Sequence, residues 1–211
     1  MAETFWDNVF AKHDYHYGTE PNEWIRSGFL EYVLAGDGAP REVLVTELAA
    51  GEGRNAVWLA EQGCVVTAVD LSATGLEKAR ALAAQRGVAV QMVKRDVLGQ
   101  PTDHPAAHVV VSTFFHVDPQ RKRQLFHAHQ ALTRSGGFVI AEWFHPDQRA
   151  GGYSSGGPHD AAMLITPEEV RNAFAGSGWE ILVCRRRERD LNEGAGHHGE
   201  AVVTQFIGRA G

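Results

Sequence analysis

Cysteine is scarce in this 211-residue chain. Only Cys64 and Cys184 occur, each inside an apolar run (Cys-Val-Val and Leu-Val-Cys). So placed, they read as buried reduced thiols, not as a disulfide framework or a thiolate metal site. Long hydrophobic runs are missing as well: no stretch of about 18 uninterrupted apolar residues occurs, so no segment has the pattern of a membrane-spanning helix. The opening Met1 to Phe10 carries Glu3 and Asp7 where a secretory leader has basic and then apolar residues. The expectation is a cytoplasmic protein without a membrane partner. Basic residues are in deficit, 20 Lys and Arg against 26 Asp and Glu for a formal charge of −6, which argues against a general nucleic-acid binder. The one basic cluster, Arg185-Arg186-Arg187 with Arg189, is broken by Glu188 and Asp190 and reads as a solvated strand end. Among 11 histidines the tightest pairs, His127 with His129 and His197 with His198, stand at spacings that suit no helical or hairpin metal site, and no metal is expected. No internal repeat appears.

What is present is alternation. Short β-branched runs at Val43 to Leu48, Val65 to Val69, Val88 to Val93, Val109 to Thr113, Phe138 to Trp143, Glu180 to Arg185 and Ala201 to Gly208 read as strands. Helical patterns lie between them at Arg54 to Gln62, Ala73 to Arg86, Pro119 to Leu132 and Pro167 to Ala175. Pro119 suits a first helical position, and Gly136-Gly137 allows a turn after that helix. Thr166 before Pro167-Glu168-Glu169 combines a hydroxyl cap, a proline and two acids at the positive end of the helix dipole. The last two strands are joined by the Gly-rich Asn192 to Gly199 without a helix, which permits a hairpin. The fold class expected is therefore α/β, Rossmann-like, with seven mostly parallel strands, one antiparallel, and helices on both faces. With 44% hydrophobic residues the chain reads as a single domain over 1–211. Nothing in the sequence selects an oligomeric state.

In such a sheet the ligand crevice lies beyond the carboxyl ends of the strands, where strand order reverses. The first strand runs into Glu47-Leu-Ala-Ala-Gly51-Glu-Gly53-Arg-Asn55, a glycine turn that opens a helix and offers free N–H groups to a ligand. The second ends in Asp70, about 20 residues on, the spacing at which a carboxylate meets the ribose hydroxyls of a bound adenosine. Asp96, after the third strand, suits an adenine amino group. Three polar positions after three successive strands form a stronger signal than the glycine turn alone. Nicotinamide binding competes as a reading, and an NAD(P)-dependent oxidoreductase is the runner-up function. It is disfavoured because Gly53 is followed by Arg54-Asn55-Ala56 and Glu47 would repel a diphosphate, whereas that carboxylate suits the ammonium of a methionyl group.

These residues resemble the class I S-adenosylmethionine (SAM)-dependent methyltransferases. The nearer likeness is to bacterial enzymes of the tellurite-resistance and thiopurine methyltransferase group. It is carried by Phe5-Trp6-Asp7 with Tyr17-Gly-Thr-Glu-Pro-Asn22, Gly51-Glu-Gly-Arg-Asn-Ala56 with Val69-Asp-Leu-Ser72, and Gly156-Gly-Pro158 with His197-His-Gly199. The resemblance implies SAM as cofactor and S-adenosylhomocysteine as product. Glu47, Ala49, Gly51 and Gly53 would line the methionine part, Asp70 with Leu71 the ribose, Asp96 with Val97 the adenine, and Thr113 with Phe114 the sulfonium; Asn55 is a further cofactor-binding candidate. Ala49 stands where the family usually has its first glycine. The segment 1–40 resembles the helix and loop that cover the cofactor, with Trp6, Tyr15, Tyr17 and Trp24 as aromatic surface. Of these, Tyr17 is the candidate cofactor contact, by cation–π attraction to a sulfonium. The acceptor is expected to be a small molecule: a thiol, a metalloid oxyanion or a small aromatic compound. His116 is the candidate to take a proton from an amine or hydroxyl acceptor; its other reading is a bond to a backbone carbonyl. Arg149, His159, His197 and His198, on the two long loops, are candidate contacts for an anionic acceptor, and His116 is a further acceptor contact. A non-catalytic SAM-binding regulator would share the same binding residues.

Overall fold

The computed structural model describes residues 2–12, 14–35, 42–99, 106–176 and 178–211; residues 36–40 of the expected cap segment lie outside the described residues. The order is α1 (Ala2–Phe10), α2 (Glu23–Gly28) continuing as a π-helix (Phe29–Leu34), β1 (Leu44–Leu48), α3 (Arg54–Glu61), β2 (Val65–Asp70), α4 (Ala73–Arg86), β3 (Val90–Lys94), β4 (Ala107–Thr113), α5 (Lys122–Leu132), β5 (Thr133–Phe144), the single turn α6 (Asp147–Ala150), α7 (Pro167–Phe174), β6 (Trp179–Glu193) and β7 (His197–Ala210).

The seven strands form one sheet in the order β3-β2-β1-β4-β5-β7-β6. β3, β2, β1, β4 and β5 pair in parallel, and β7 runs antiparallel to both neighbours. The order reverses at β1, with β2 on one side and β4 on the other, so the crevice opens beyond Leu48 and Thr113. Alternation along β4 explains why its sequence is apolar throughout. Val109 and Val111 pack with Ile25, Phe29, Leu59 and Ile207 on one face, while Val110 packs with Leu125, Trp143, Phe174 and Phe206 on the other.

Local signals account for the helix starts. Asn22 caps α2, its side chain accepting from Trp24 N and Ile25 N, and Ser72 caps α4 through Gly75 N. At α7, Thr166 and Glu169 form a reciprocal capping box. Pro119 opens a 3₁₀ turn capped by Asp118, after which α5 begins at Lys122. Two boundaries differ most from the sequence reading. Gly136 and Gly137 lie inside β5: the ladder sets Thr133 opposite Ala107 and then Phe138 opposite Val109, the residues between bulging at Gly136 (φ +73°). The β6–β7 hairpin is also far longer than expected. Pairing continues from Arg186 opposite Thr204 out to Glu193 opposite His197, so most of the supposed loop is strand.

Candidate functional site

Beyond the carboxyl ends of the central strands lies a cavity of about 910 Å³, lined from β1, β2, β4 and β5, by α1, and by the residues following β3. Its floor is the turn after β1. Ala49 (φ +54°), Gly51 (φ +52°) and Gly53 (φ +83°) are all left-handed, and Ala49 holds this conformation despite its Cβ. Asp70 braces the turn: Oδ2 accepts from Gly51 N (2.7 Å) and Oδ1 from Ser72 N (2.7 Å). A carboxylate offers about four lone-pair positions, so Asp70 retains acceptor capacity beyond these two bonds. Burial raises its pKa. Gly53 is corrected: it does not line the cavity. A Cβ there would sit 2.5 Å from that of Ala79, so this glycine serves the close approach of α4.

Glu47 is the buried acid of the site, only 1% exposed. Asn55 Nδ2 donates to its Oε1 (2.8 Å) and to Thr113 Oγ1 (3.2 Å), while Oε2 has no partner among the described residues. Burial pushes this carboxyl up to about 7, against the opposing bond from Asn55. Behind it, Asn22, Arg54, Glu142, Arg189 and Glu193 form a buried polar array. Arg54 pairs with Glu193 (2.6 Å), Arg189 with Glu142 and Glu193 (2.6 Å each), and Asn22 Nδ2 donates to Glu142 (2.8 Å) and Glu193 (3.0 Å). Two guanidinium groups thus match two carboxylates; Glu47 makes no ion pair among the described residues, although Arg54 acts on it through space and opposes the rise of its pKa.

Leu71, Asp96, Val97, Thr113 and Phe114 all line the cavity. Asp96 accepts from Leu98 N (2.9 Å) and pairs with Arg121 (3.2 Å). Phe114, left-handed at φ +53°, stacks on Phe144 at 4.5 Å between ring centroids. Of the N-terminal aromatics, Trp6 and Tyr17 reach the cavity. Trp24 instead lies in the core and donates to Phe206 O, and Tyr15 donates to Lys78 O. Phe10 and Phe144 also line the cavity, as sequence reasoning did not foresee. Phe10 packs where a Cβ on Gly51 or Gly75 would fall, at 3.1 and 2.9 Å, so those two glycines are the trace it leaves in the sequence. Asp7 ties α1 down by accepting from Ser72 Oγ (2.6 Å) and Thr74 N (3.2 Å). The hairpin tip holds the next segment, with Gly196 N donating to His16 O (2.9 Å).

The acceptor candidates separate. His116 lines the cavity, but Nδ1 bonds Met163 O (3.1 Å) and Nε2 accepts from Phe144 N (3.1 Å). With the Nε2 lone pair occupied by a backbone N–H, the geometry at His116 favours the backbone-bonding reading over proton abstraction. Burial holds this ring down at about 4. Arg149 is corrected too: it does not line the cavity, because its guanidinium donates to Pro158 O, Gly156 O and Gly157 O and clamps the glycine loop. His198 points away and is exposed, since alternation along β7 sends only one of two adjacent residues inward. His197 is the inward one and lines the cavity, as does the exposed His159 at its rim.

Residues 45–137 match a family described as a methyltransferase domain. No curated protein matches the chain in sequence. Among solved structures, the protein studied in the conversion of a disulfide bond into a thioacetal group during echinomycin biosynthesis superposes with a TM-score of 0.76 at 19% identity, over 100% of this chain and 92% of that one. Magnesium protoporphyrin IX methyltransferase from Synechocystis PCC 6803, solved with bound SAM, gives 0.68 at 12% identity over 100% and 98%. TehB from Haemophilus influenzae gives 0.67 at 14% identity over 99% of this chain and 67% of that one. At these identities the likeness defines the fold, a Rossmann-like methyltransferase fold, and does not select the tellurite-resistance group.

Proposed function

We propose that this chain is a SAM-dependent methyltransferase acting on a small-molecule acceptor, as one domain over 1–211 in which the segment 1–40 caps the cofactor. The observation that carries the reading is the buried Glu47 at the carboxyl end of β1, whose Oε2 has no partner among the described residues. An ionised carboxylate kept from water is stable only when a cation joins it, and the ammonium of SAM is such a cation. The charge of the whole cavity agrees: six carboxylates line it against three guanidinium groups. SAM carries a net positive charge, whereas a nicotinamide dinucleotide would bring a diphosphate against Glu47 and Glu52.

On this reading Glu47, set by Asn55, holds the ammonium beside Ala49 and Gly51. Asp70 with Leu71 takes the ribose, and Asp96 with Val97 the adenine. Tyr17, Thr113 and Phe114 border the sulfonium, where aromatic faces attract positive charge. SAM supplies a methyl group already activated by its sulfonium. The protein's contribution is therefore to position the acceptor and exclude water, and a base is needed only for an acceptor that still holds its proton. Calorimetric titration with SAM, S-adenosylhomocysteine and NADH tests the reading. Binding of both adenosyl ligands without NADH is expected; binding of NADH alone, or of none of the three, would overturn it.

A further inference from the structure

At the end of the cavity away from Asp70 and Asp96, one polar side chain is built in without a protein partner. His197 is 5% exposed, and its ring centroid lies 4.4 Å from Tyr17, 4.3 Å from Phe114 and 5.2 Å from Phe144. Nδ1 is buried and has no hydrogen-bond partner among the described residues. Leaving a buried polar atom unpaired costs about 1–3 kcal/mol. The loop opposite makes room for this ring: a Cβ on Gly156 would lie 2.4 Å from its Cδ2.

We infer that His197 is the hydrogen-bond partner of the methyl acceptor, and that the acceptor enters uncharged, as a small apolar compound bearing a hydroxyl or thiol hydrogen. As the methyl–sulfur bond breaks and the methyl–acceptor bond forms, that hydrogen passes as a proton to the imidazole and S-adenosylhomocysteine leaves. This rests on the methyltransferase reading and narrows it. Charge carries the second half of the inference. Burial, with Arg54 next in effect, lowers the pKa of His197 to about 3; Glu193 opposes, and His16 and His116 also face it, so the imidazole brings no positive charge near neutral pH. The three guanidinium groups lining the cavity are no better placed to receive an anion. Arg54 is committed to Glu193 and to Tyr17 O, and Arg121 to Asp96. Arg95 does have a buried Nη1 without a hydrogen-bond partner among the described residues, but it follows β3, four strand spacings, roughly 19 Å, from β5 and Phe144. At the rim His159 is accompanied by Asp160. An oxyanion at this end would find no uncommitted guanidinium beside it, whereas an uncharged donor satisfies the imidazole and fills the aromatic walls.

The test uses 4-nitrophenol, whose neutral and ionised forms absorb at different wavelengths, titrated into the full chain saturated with S-adenosylhomocysteine. The wild type is expected to bind it as the neutral phenol, with its ionisation displaced upward by at least one pH unit. 4-Nitroanisole, which lacks the hydrogen, and the anions 4-nitrobenzoate and selenite are expected to bind at least tenfold more weakly. His197→Phe is expected to lose about tenfold in 4-nitrophenol affinity, and His197→Gln, which keeps a hydrogen-bonding group, to lose less. Tighter binding of either anion, binding of the phenolate, absence of 4-nitrophenol binding, or an unchanged affinity in His197→Phe would overturn the inference. The wild-type spectrum decides the matter if His197→Phe does not fold. Separate titration with S-adenosylhomocysteine keeps the two readings apart: if that ligand binds and the acceptor pattern fails, only this inference falls, and if it does not bind, both do.

Discussion

Replacing Glu47 by glutamine sets stability against binding. In the ligand-free protein, burial lifts the Glu47 carboxyl from 4.5 to about 7. A raised folded-state pKa means that the folded form holds its proton more tightly than the unfolded chain. Stability is then full below about pH 4.5 and is lost as pH rises through 7, by up to about 3 kcal/mol. Glu47→Gln removes that charge while keeping an oxygen for Asn55 Nδ2, but it places an unpaired NH₂ where Oε2 stood, at a cost of about 1–2 kcal/mol. The variant is therefore expected to be more stable than the parent by about 1–2 kcal/mol at pH 8, with no advantage at pH 5. Loss of a charge-assisted bond to the ammonium is expected to weaken SAM about 10- to 100-fold. Urea unfolding at the two pH values and calorimetry with SAM read both effects. A variant less stable than the parent at pH 8 would refute the burial argument, and unchanged SAM affinity would refute the assignment of the ammonium to Glu47.

His116→Phe removes bonds to Met163 O and Phe144 N and is expected to cost about 2–3 kcal/mol in urea unfolding, yet the folded variant should keep methyl transfer within about tenfold. A loss beyond about 100-fold would restore His116 as a base. Ala49→Gly relieves the left-handed alanine at φ +54° and, after the added flexibility of the unfolded chain, is expected to stabilise by about 0.5–1 kcal/mol, read as a rise in Tm. His129, bonded to Ser112 Oγ and Leu125 O, is held by burial at about 4 in the folded state. Its contribution is intact above about pH 6.5 and is lost as pH falls toward 4, by up to about 3 kcal/mol, so His129→Gln is expected to flatten the stability profile over that window.

Periodicity and turn chemistry were enough to read most of the fold. The seven strands, the four main helices and the antiparallel last strand follow from apolar alternation, caps and a helix-free final connection, all of them local properties. The positions after β1, β2 and β3 were legible for the same reason: in a parallel sheet, the end of a strand in sequence is also the rim of the crevice in space. The hairpin was underestimated because Arg186 to Asn192, Leu191 apart, are charged and polar. Their place in the ladder is set by pairing with β7, which no local pattern encodes.

What tertiary structure alone decided is which polar groups remain available. Arg149 and His116 carry suitable chemistry and stand near the site in sequence terms, but backbone atoms brought in from Gly156 to Pro158, Phe144 and Met163 occupy their donors and acceptors. His197 and His198 are indistinguishable in a string of letters; the register of β7 turns one into the aromatic pocket and the other out to water. Glu47 was marked by its position after a strand. Its unpaired oxygen emerged only when Arg54 and Arg189 were seen to be matched by Glu193 and Glu142, because charge balance in a buried array depends on residues more than 100 positions apart in the chain.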